Sequence, residues 1–146
     1  ADSDRAEIRV LGMDGTPQRL VRWSAPQRAI TQADIDEARE RALAGVSEGG
    51  RPDIERMFAD MPMPETMPEF AKLRVDRDGN MWVQRYRTEW DEGMSEWLIF
   101  DDDGRLTARA ELPPTLTPTD IGSDYVLGIE RDELELEYVR LYPLRR

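Results

Sequence analysis

The chain has no cysteine and no histidine among its 146 residues. The absence of cysteine excludes disulfides and thiolate nucleophiles. Without either residue type, the common zinc sites and the usual general base are excluded as well. The basic residues are 19 Arg and a single lysine, Lys72, a bias typical of a GC-rich bacterial genome. No apolar stretch approaches the roughly 18–20 residues that span a bilayer, so we expect no direct membrane span.

Positive charge is also scarce. Asp and Glu outnumber Lys and Arg by 31 to 20, which gives a formal net charge of −11. Clustered Lys and Arg are what bind a phosphate backbone, so nucleic acid is not an expected partner of this acidic protein. Apolar residues make up 39% of the chain, enough for one hydrophobic core. At this length we expect a single domain over residues 1–146.

Asp-Gly pairs recur between short apolar runs. They are Asp14-Gly15, Asp78-Gly79 and Asp103-Gly104. Asp-Gly at such a position favours a β-hairpin with a type I′ turn, in which both central residues have positive φ. We therefore predict a β-hairpin over residues 6–24 and antiparallel strands over residues 70–144. Residues 105–112 alternate apolar and polar side chains without error, which is typical of a half-buried outer strand.

Residues 31–61 have a helical pattern instead. Thr31 is a suitable N-cap, and Asp34 lies three residues on, as in a capping box. Apolar residues then recur with helical spacing up to Gly45, a plausible helix end. Pro52 fits the first turn of a second helix. This segment is predicted to be a helical insertion in a β-protein.

Several segments together resemble the C-terminal blades of bacterial six-bladed β-propellers of the NHL-like kind. They are Leu73 to Val83, Trp97 to Gly104, Ala110 to Pro113, Asp124 to Leu134 and Glu137 to Tyr142. The resemblance covers roughly residues 68–144 and departs from the family at Glu135, where glycine is usual. It implies a mainly β fold: an antiparallel meander of about two to two-and-a-half propeller-like blades with a short helical insertion.

Such a propeller would be incomplete. A closed six-bladed ring has roughly two dozen strands, and only about nine are predicted here. Open sheet edges are avoided by ring closure or by a covering element. The chain is therefore either part or a diverged remnant of a larger protein, or a subunit whose edges are covered by a protein partner or by further copies of itself. Relatives of this kind are often exported, which favours a periplasmic or extracellular location and leaves a cytoplasmic one open.

The turn aspartates suggest calcium, but the EF-hand spacing fails. Placing Gly104 at loop position 6 puts Ile99 at position 1 and Ala110 at position 12. Asp favours such turns on its own account, so we assign them to turn chemistry, with a looser metal site as the alternative. No metal site, catalytic residue or cofactor site is predicted.

A methionine-rich run and one tryptophan are the candidate partner contacts. Met57, Met61, Met63 and Met67 can pack in the fold, bind a partner adaptably or ligate Cu(I), and we favour packing. Trp82 and Trp97 are expected in the core, although the tryptophans could instead form a ligand-stacking surface. Trp90 lies in a polar loop with no obvious core to enter, which makes it a candidate for contact with a partner.

The resulting hypothesis is a non-enzymatic structural or protein-interaction module. We expect it to act as an accessory subunit that docks on a larger protein or a membrane-associated assembly. The alternative is a metal-dependent hydrolase or small-ligand binder with its site on the propeller face.

Overall fold

The computed structural model describes residues 5–132 and 134–144. This part of the chain contains nine β-strands, two α-helices and one 3-10 turn. The strands are β1 Glu7–Leu11, β2 Pro17–Arg22, β3 Phe70–Val75, β4 Met81–Arg85, β5 Ser95–Phe100, β6 Leu106–Leu112, β7 Leu116–Ile121, β8 Tyr125–Arg131 and β9 Glu137–Pro143. The fold is mainly β with a short helical insertion, as predicted.

The described strands form three antiparallel sheets, and each follows chain order. The N-terminal hairpin is β1-β2, the middle sheet is β3-β4-β5-β6, and the C-terminal sheet is β7-β8-β9. These sheets belong to one compact unit, and residues Pro26–Met67 form a second unit. The predicted hairpin over residues 6–24 and the predicted strands over residues 70–144 are confirmed.

The two central strands of the middle sheet are buried on both faces, and most of their residues are apolar. Side chains alternate across a strand, so successive residues enter different cores. Met81, Val83, Leu98 and Phe100 pack with Ile8 and Val21 of the N-terminal hairpin. Trp82, Trp97 and Ile99 pack on the other face with Leu116, Ile121 and Val126 of the C-terminal sheet. Trp82 and Trp97 are thus core residues, as expected.

The second unit contains α1, Gln32–Ala44, and α2, Arg51–Asp60, separated by the 3-10 turn Glu48–Gly50. The predicted capping box is present: the Thr31 hydroxyl accepts from the Asp34 N–H, and the Asp34 carboxylate accepts from the Thr31 N–H. Pro52 lies in the first turn of α2, where its missing N–H costs no hydrogen bond.

The hairpin turns differ from the predicted type I′. Within each Asp-Gly pair, the glycine has positive φ and the aspartate does not. The glycine φ values are 80° at Gly15, 86° at Gly79 and 79° at Gly104. Each glycine N–H donates to the carbonyl three residues earlier, as the Gly79 N–H does to Asp76 at 3.1 Å. These are type I turns followed by a left-handed residue, a common longer hairpin connection. The prediction of type I′ turns was wrong because Asp-Gly suits both geometries.

The turn between β8 and β9 shares one hydrogen bond and the left-handed residue with these turns, but that residue is not a glycine. The Glu135 N–H donates to the Asp132 carbonyl at 3.0 Å, and Glu135 has a φ of 60°. Left-handed backbone is costly for a residue with a Cβ atom. Glu135 therefore occupies the position that glycine occupies in the other three turns.

Candidate functional site

The outer face of the C-terminal sheet carries an exposed apolar cluster. The register pairs Leu127 with Leu141 and Ile129 with Val139, so the four side chains lie on one face. Val139 is 74% exposed and Leu141 is 62% exposed, whereas Leu127 and Ile129 are half-buried. We call these four residues the outer patch. Its members are cross-strand neighbours, so the apolar surface is continuous rather than scattered.

Polar residues border the outer patch on two sides. Thr117 pairs with Ile129, and Asp120 pairs with Leu127, on the β7 side. At one end of the patch Arg131 and Glu137 form an ion pair of 2.7 Å. An exposed apolar area with a polar rim is typical of a protein-interaction surface.

The opposite face of the same sheet is buried, in contrast to the outer patch. Val126 and Gly128 alternate with the outer-patch residues of β8 and are buried. A Cβ atom at Gly128 would lie 2.6 Å from the Thr117 carbonyl oxygen and 2.7 Å from Leu116 Cδ1. A β8 strand that is apolar on both faces is the pattern of a strand covered on both sides. In the described structure only the face toward the middle sheet is covered.

The C-terminal sheet is fastened to the middle sheet by arginines of β3 and its turn. Arg77 donates two hydrogen bonds to the Asp120 carboxylate, of 3.0 and 2.8 Å, and the Arg77 N–H donates to the Ile121 carbonyl at 3.0 Å. Arg74 donates to the Pro118 carbonyl at 3.0 Å. The hydrogen bonds from Arg77, and then the one from Tyr125, lower the pKa of Asp120. The outer patch therefore lies on a sheet held in place by charged contacts.

A groove of about 800 Å³ lies between the last strand of the middle sheet and the last strand of the C-terminal sheet. Ala108, Ala110 and Leu112 of β6 line one side, and Tyr142 and Leu144 line the other. Trp82 and Ile99, from the core between the two sheets, also line the groove. The groove thus continues the apolar core toward solvent.

The partner contacts predicted from sequence lie elsewhere. Trp90 is half-buried in the loop after β4 and has contacts within the chain. Met57 is exposed on α2, Met61 is exposed directly after it, and Met63 lines a groove of about 280 Å³ between α1 and α2. Met67 is 8% exposed, so it packs in the fold and is not available to a partner as the structure stands. None of these residues belongs to the outer patch.

The outer patch has a signal in the sequence, but that signal identifies the patch only when the pairing of β8 with β9 is known. Leu127 and Ile129 share one parity, and so do Val139 and Leu141, which predicts two apolar pairs once the hairpin register is known.

Aspartate carboxylates in the hairpin turns accept hydrogen bonds from groups close to them in the sequence, and Asp76 is an example. The Asp76 carboxylate accepts from the N–H groups of Asp78 and Asn80, from the Asn80 side chain and from Trp82 Nε1. Burial raises the pKa of Asp76, but these donors outweigh it and hold the pKa below the usual 3.8. Within residues 5–132 and 134–144, no three Asp or Glu side chains are grouped so that they could hold a metal ion.

No family model, no curated protein and no solved structure matches this chain. In the described residues no helix has both the length and the apolar character needed to cross a membrane.

Proposed function

We propose that this protein is a non-enzymatic interaction module that docks on a larger protein through the C-terminal sheet. The observation that carries the proposal is the outer patch: two cross-strand apolar pairs, exposed on β9 and half-buried on β8, bordered by polar residues on two sides and joined to the middle sheet. A partner that covered the patch would bury Val139 and Leu141, and full burial of such a side chain stabilises a complex by about 1.5–3 kcal/mol.

The sheet arrangement supports a propeller-like assignment, which stays our proposal. Two, four and three strands in three consecutive antiparallel sheets correspond to two outer strands, one complete blade and three strands of the next blade. In that arrangement the outer face of the C-terminal sheet would be the surface on which a following blade or a partner packs. The exported location suggested by the resemblance belongs to the same proposal.

The alternative function is a small-ligand binder. The one feature that supports it is the groove beside β9. A volume of about 800 Å³ is within the range of small-molecule sites. Such sites also carry a few convergent polar groups for orientation. The Asp76 carboxylate, which lines this groove, is already used by turn donors. The interaction module is therefore the function we favour.

The experiment compares two valine-to-aspartate variants of matched exposure. Val139 lies in the outer patch, and Val75, which is 68% exposed at the end of β3, does not. The purified chain is analysed by size exclusion with light scattering, alone and with each protein that co-purifies with it. We expect a defined complex that Val139→Asp weakens by about 10- to 100-fold, while Val75→Asp changes its affinity by less than about twofold.

A stable monomer that forms no complex with any co-purifying protein would contradict the proposal. Equal loss of binding in both variants would also contradict it, because charge rather than the outer patch would then explain the effect. Circular dichroism of both variants checks that each remains folded, as expected for substitutions at exposed positions.

A further inference from the structure

We propose that the free edge of β9 and the groove beside it accept an extended strand from a partner polypeptide, as a fourth strand of the C-terminal sheet. This inference rests on the proposed function, since it names the partner segment that would bind. It uses a different surface, because the strand would occupy the edge of the sheet while the outer patch lies on its face.

The middle sheet shows what the C-terminal sheet lacks in the described residues. In the middle sheet β5 is followed by β6, which completes four strands. In the C-terminal sheet β9 pairs only with β8 and has no described strand on its other side. Alternate peptide groups of an edge strand point away from the sheet without a strand partner, and they form a template for another chain.

The exposure of β6 shows that the C-terminal sheet is one strand too narrow. Ile99 pairs with Ala108, so both side chains lie on the face toward the C-terminal sheet. Ile99 is 9% exposed, whereas Ala108 is exposed. The C-terminal sheet therefore covers β5 and stops before it covers β6. A strand added beside β9 would lie over Ala108 and Ala110 and would fill the groove.

The groove determines the side chains of the strand. Its β6 side presents the small residues Ala108 and Ala110 below about 800 Å³ of open volume. Inward-facing side chains of the added strand must be large and apolar to fill that volume. The net charge of −11 favours a segment with basic residues at its ends. Main-chain hydrogen bonds would supply affinity and alternate side chains specificity, as in other β-strand additions.

A second copy of the chain is a poorer occupant than a partner segment. A second copy could pair one of its own edge strands with β9 without breaking a hydrogen bond. Each copy, however, carries a formal net charge of −11, and the resulting repulsion opposes association of two copies. A separate segment with basic residues avoids this repulsion.

The test uses a synthetic peptide matched to the seven residues of β9. Three leucines alternate with two threonines between terminal arginines, and a control peptide of the same composition places the leucines together. Binding of the labelled peptides is followed by fluorescence anisotropy. Hydrogen exchange of the chain then shows which strand is protected.

The matched variants are Ala108→Arg, which places a long side chain in the groove, and Leu106→Arg. Both residues are exposed strand positions of β6. Ala108 pairs with Ile99 and lines the groove, whereas Leu106 pairs with Phe100, which packs in the other core, and does not line the groove. We expect the alternating peptide to bind and to protect β9. Ala108→Arg should weaken binding about tenfold or more, a loss of about 1.4 kcal/mol, and Leu106→Arg less than about twofold.

Several results would overturn the inference. They are no binding of the alternating peptide at millimolar concentration, equal binding of the control peptide, equal effects of the two variants, or protection outside β9. A dimer that the peptide dissociates would identify a second copy as the occupant and would also overturn it. If Val139→Asp abolishes partner binding while Ala108→Arg does not, the strand site fails and the proposed function stands.

Discussion

The left-handed conformation of Glu135 leads to a prediction about the free energy that positive φ costs a residue other than glycine. Three equivalent turn positions are glycines with φ between 79° and 86°, and Glu135 has a φ of 60°. Left-handed backbone costs a non-glycine residue about 1–2 kcal/mol. Glycine avoids this cost but loses about 0.5–1 kcal/mol more entropy on folding. Glu135→Gly should therefore stabilise the compact unit that contains the three sheets, called the β unit below, by about 0.5–1 kcal/mol.

Glu135→Ala is the matched control. Glu135 also forms an exposed ion pair of 3.7 Å with Arg131, which both substitutions remove. Such surface pairs contribute about 0–1 kcal/mol, so the comparison of glycine with alanine excludes that contribution. The glycine variant should be more stable than the alanine variant by about 0.5–1 kcal/mol, or roughly 1–4 °C in melting temperature.

Gly79→Ala tests the same term in the opposite direction. An added Cβ atom at Gly79 would have no neighbouring heavy atom within 4 Å, so no clash contributes. The expected loss is about 1 kcal/mol. Urea unfolding followed by tryptophan fluorescence measures all three variants, because the four tryptophans lie in the β unit. The reasoning is refuted if Glu135→Gly is no more stable than Glu135→Ala, or if Gly79→Ala is neutral.

Three further predictions concern the sheets. Gly128→Ala should cost about 1–3 kcal/mol by overpacking, because its Cβ atom would meet the Thr117 carbonyl at 2.6 Å; a neutral result in urea unfolding would contradict this. Trp82→Phe should lower the free energy of unfolding by about 1–2 kcal/mol, because it removes the 3.0 Å hydrogen bond from Trp82 Nε1 to Asp76. In a double-mutant cycle, Trp82→Phe should lower the free energy of unfolding by less when Asp76 is already replaced by Asn. Burial raises the pKa of both Asp76 and Glu96, but hydrogen bonds outweigh it and lower the two values below their usual 3.8 and 4.5. A carboxyl group whose pKa is lower in the folded state stabilises the fold at pH values above its unfolded-state pKa. The free energy of unfolding should therefore be level above about pH 5 and should fall as the pH drops through 4.5 and 3.8 toward the folded-state pKa values. Greater stability at pH 3 than at pH 5 in an acid titration would contradict this.

Much of the fold is local and could be predicted from the sequence. Thr31 and Asp34 are three residues apart, which is all that a capping box requires. The alternation over residues 105–112 correctly predicted a strand at the edge of its sheet. The strand is not half-buried as expected, because residues 106–109 are exposed and the pairing with β5 shifts register between Leu106 and Ala108. The Asp-Gly pairs marked three hairpins correctly, since glycine supplies a positive φ in either turn type.

The turn type and the site depend on information that a local pattern does not contain. Glu135 takes a left-handed backbone because the β8–β9 register requires it, although its residue type disfavours it. The outer patch depends on which residues of β8 and β9 are paired. The groove depends on how far one sheet extends over its neighbour. The polar loop sequence around Trp90 does not show that this side chain is half-buried against the chain; its contact with a partner stays a prediction.

Site-specific photo-crosslinking from position 139 tests the central claim most directly. A photoreactive amino acid replaces Val139 in one sample and the equally exposed Val75 in another. Each sample is irradiated with the purified co-purifying protein. The proposed docking surface predicts one defined crosslinked product from position 139, absent from position 75 and reduced by Leu141→Asp. No product from position 139, or the same product from both positions, would contradict the proposal that the open C-terminal sheet binds protein.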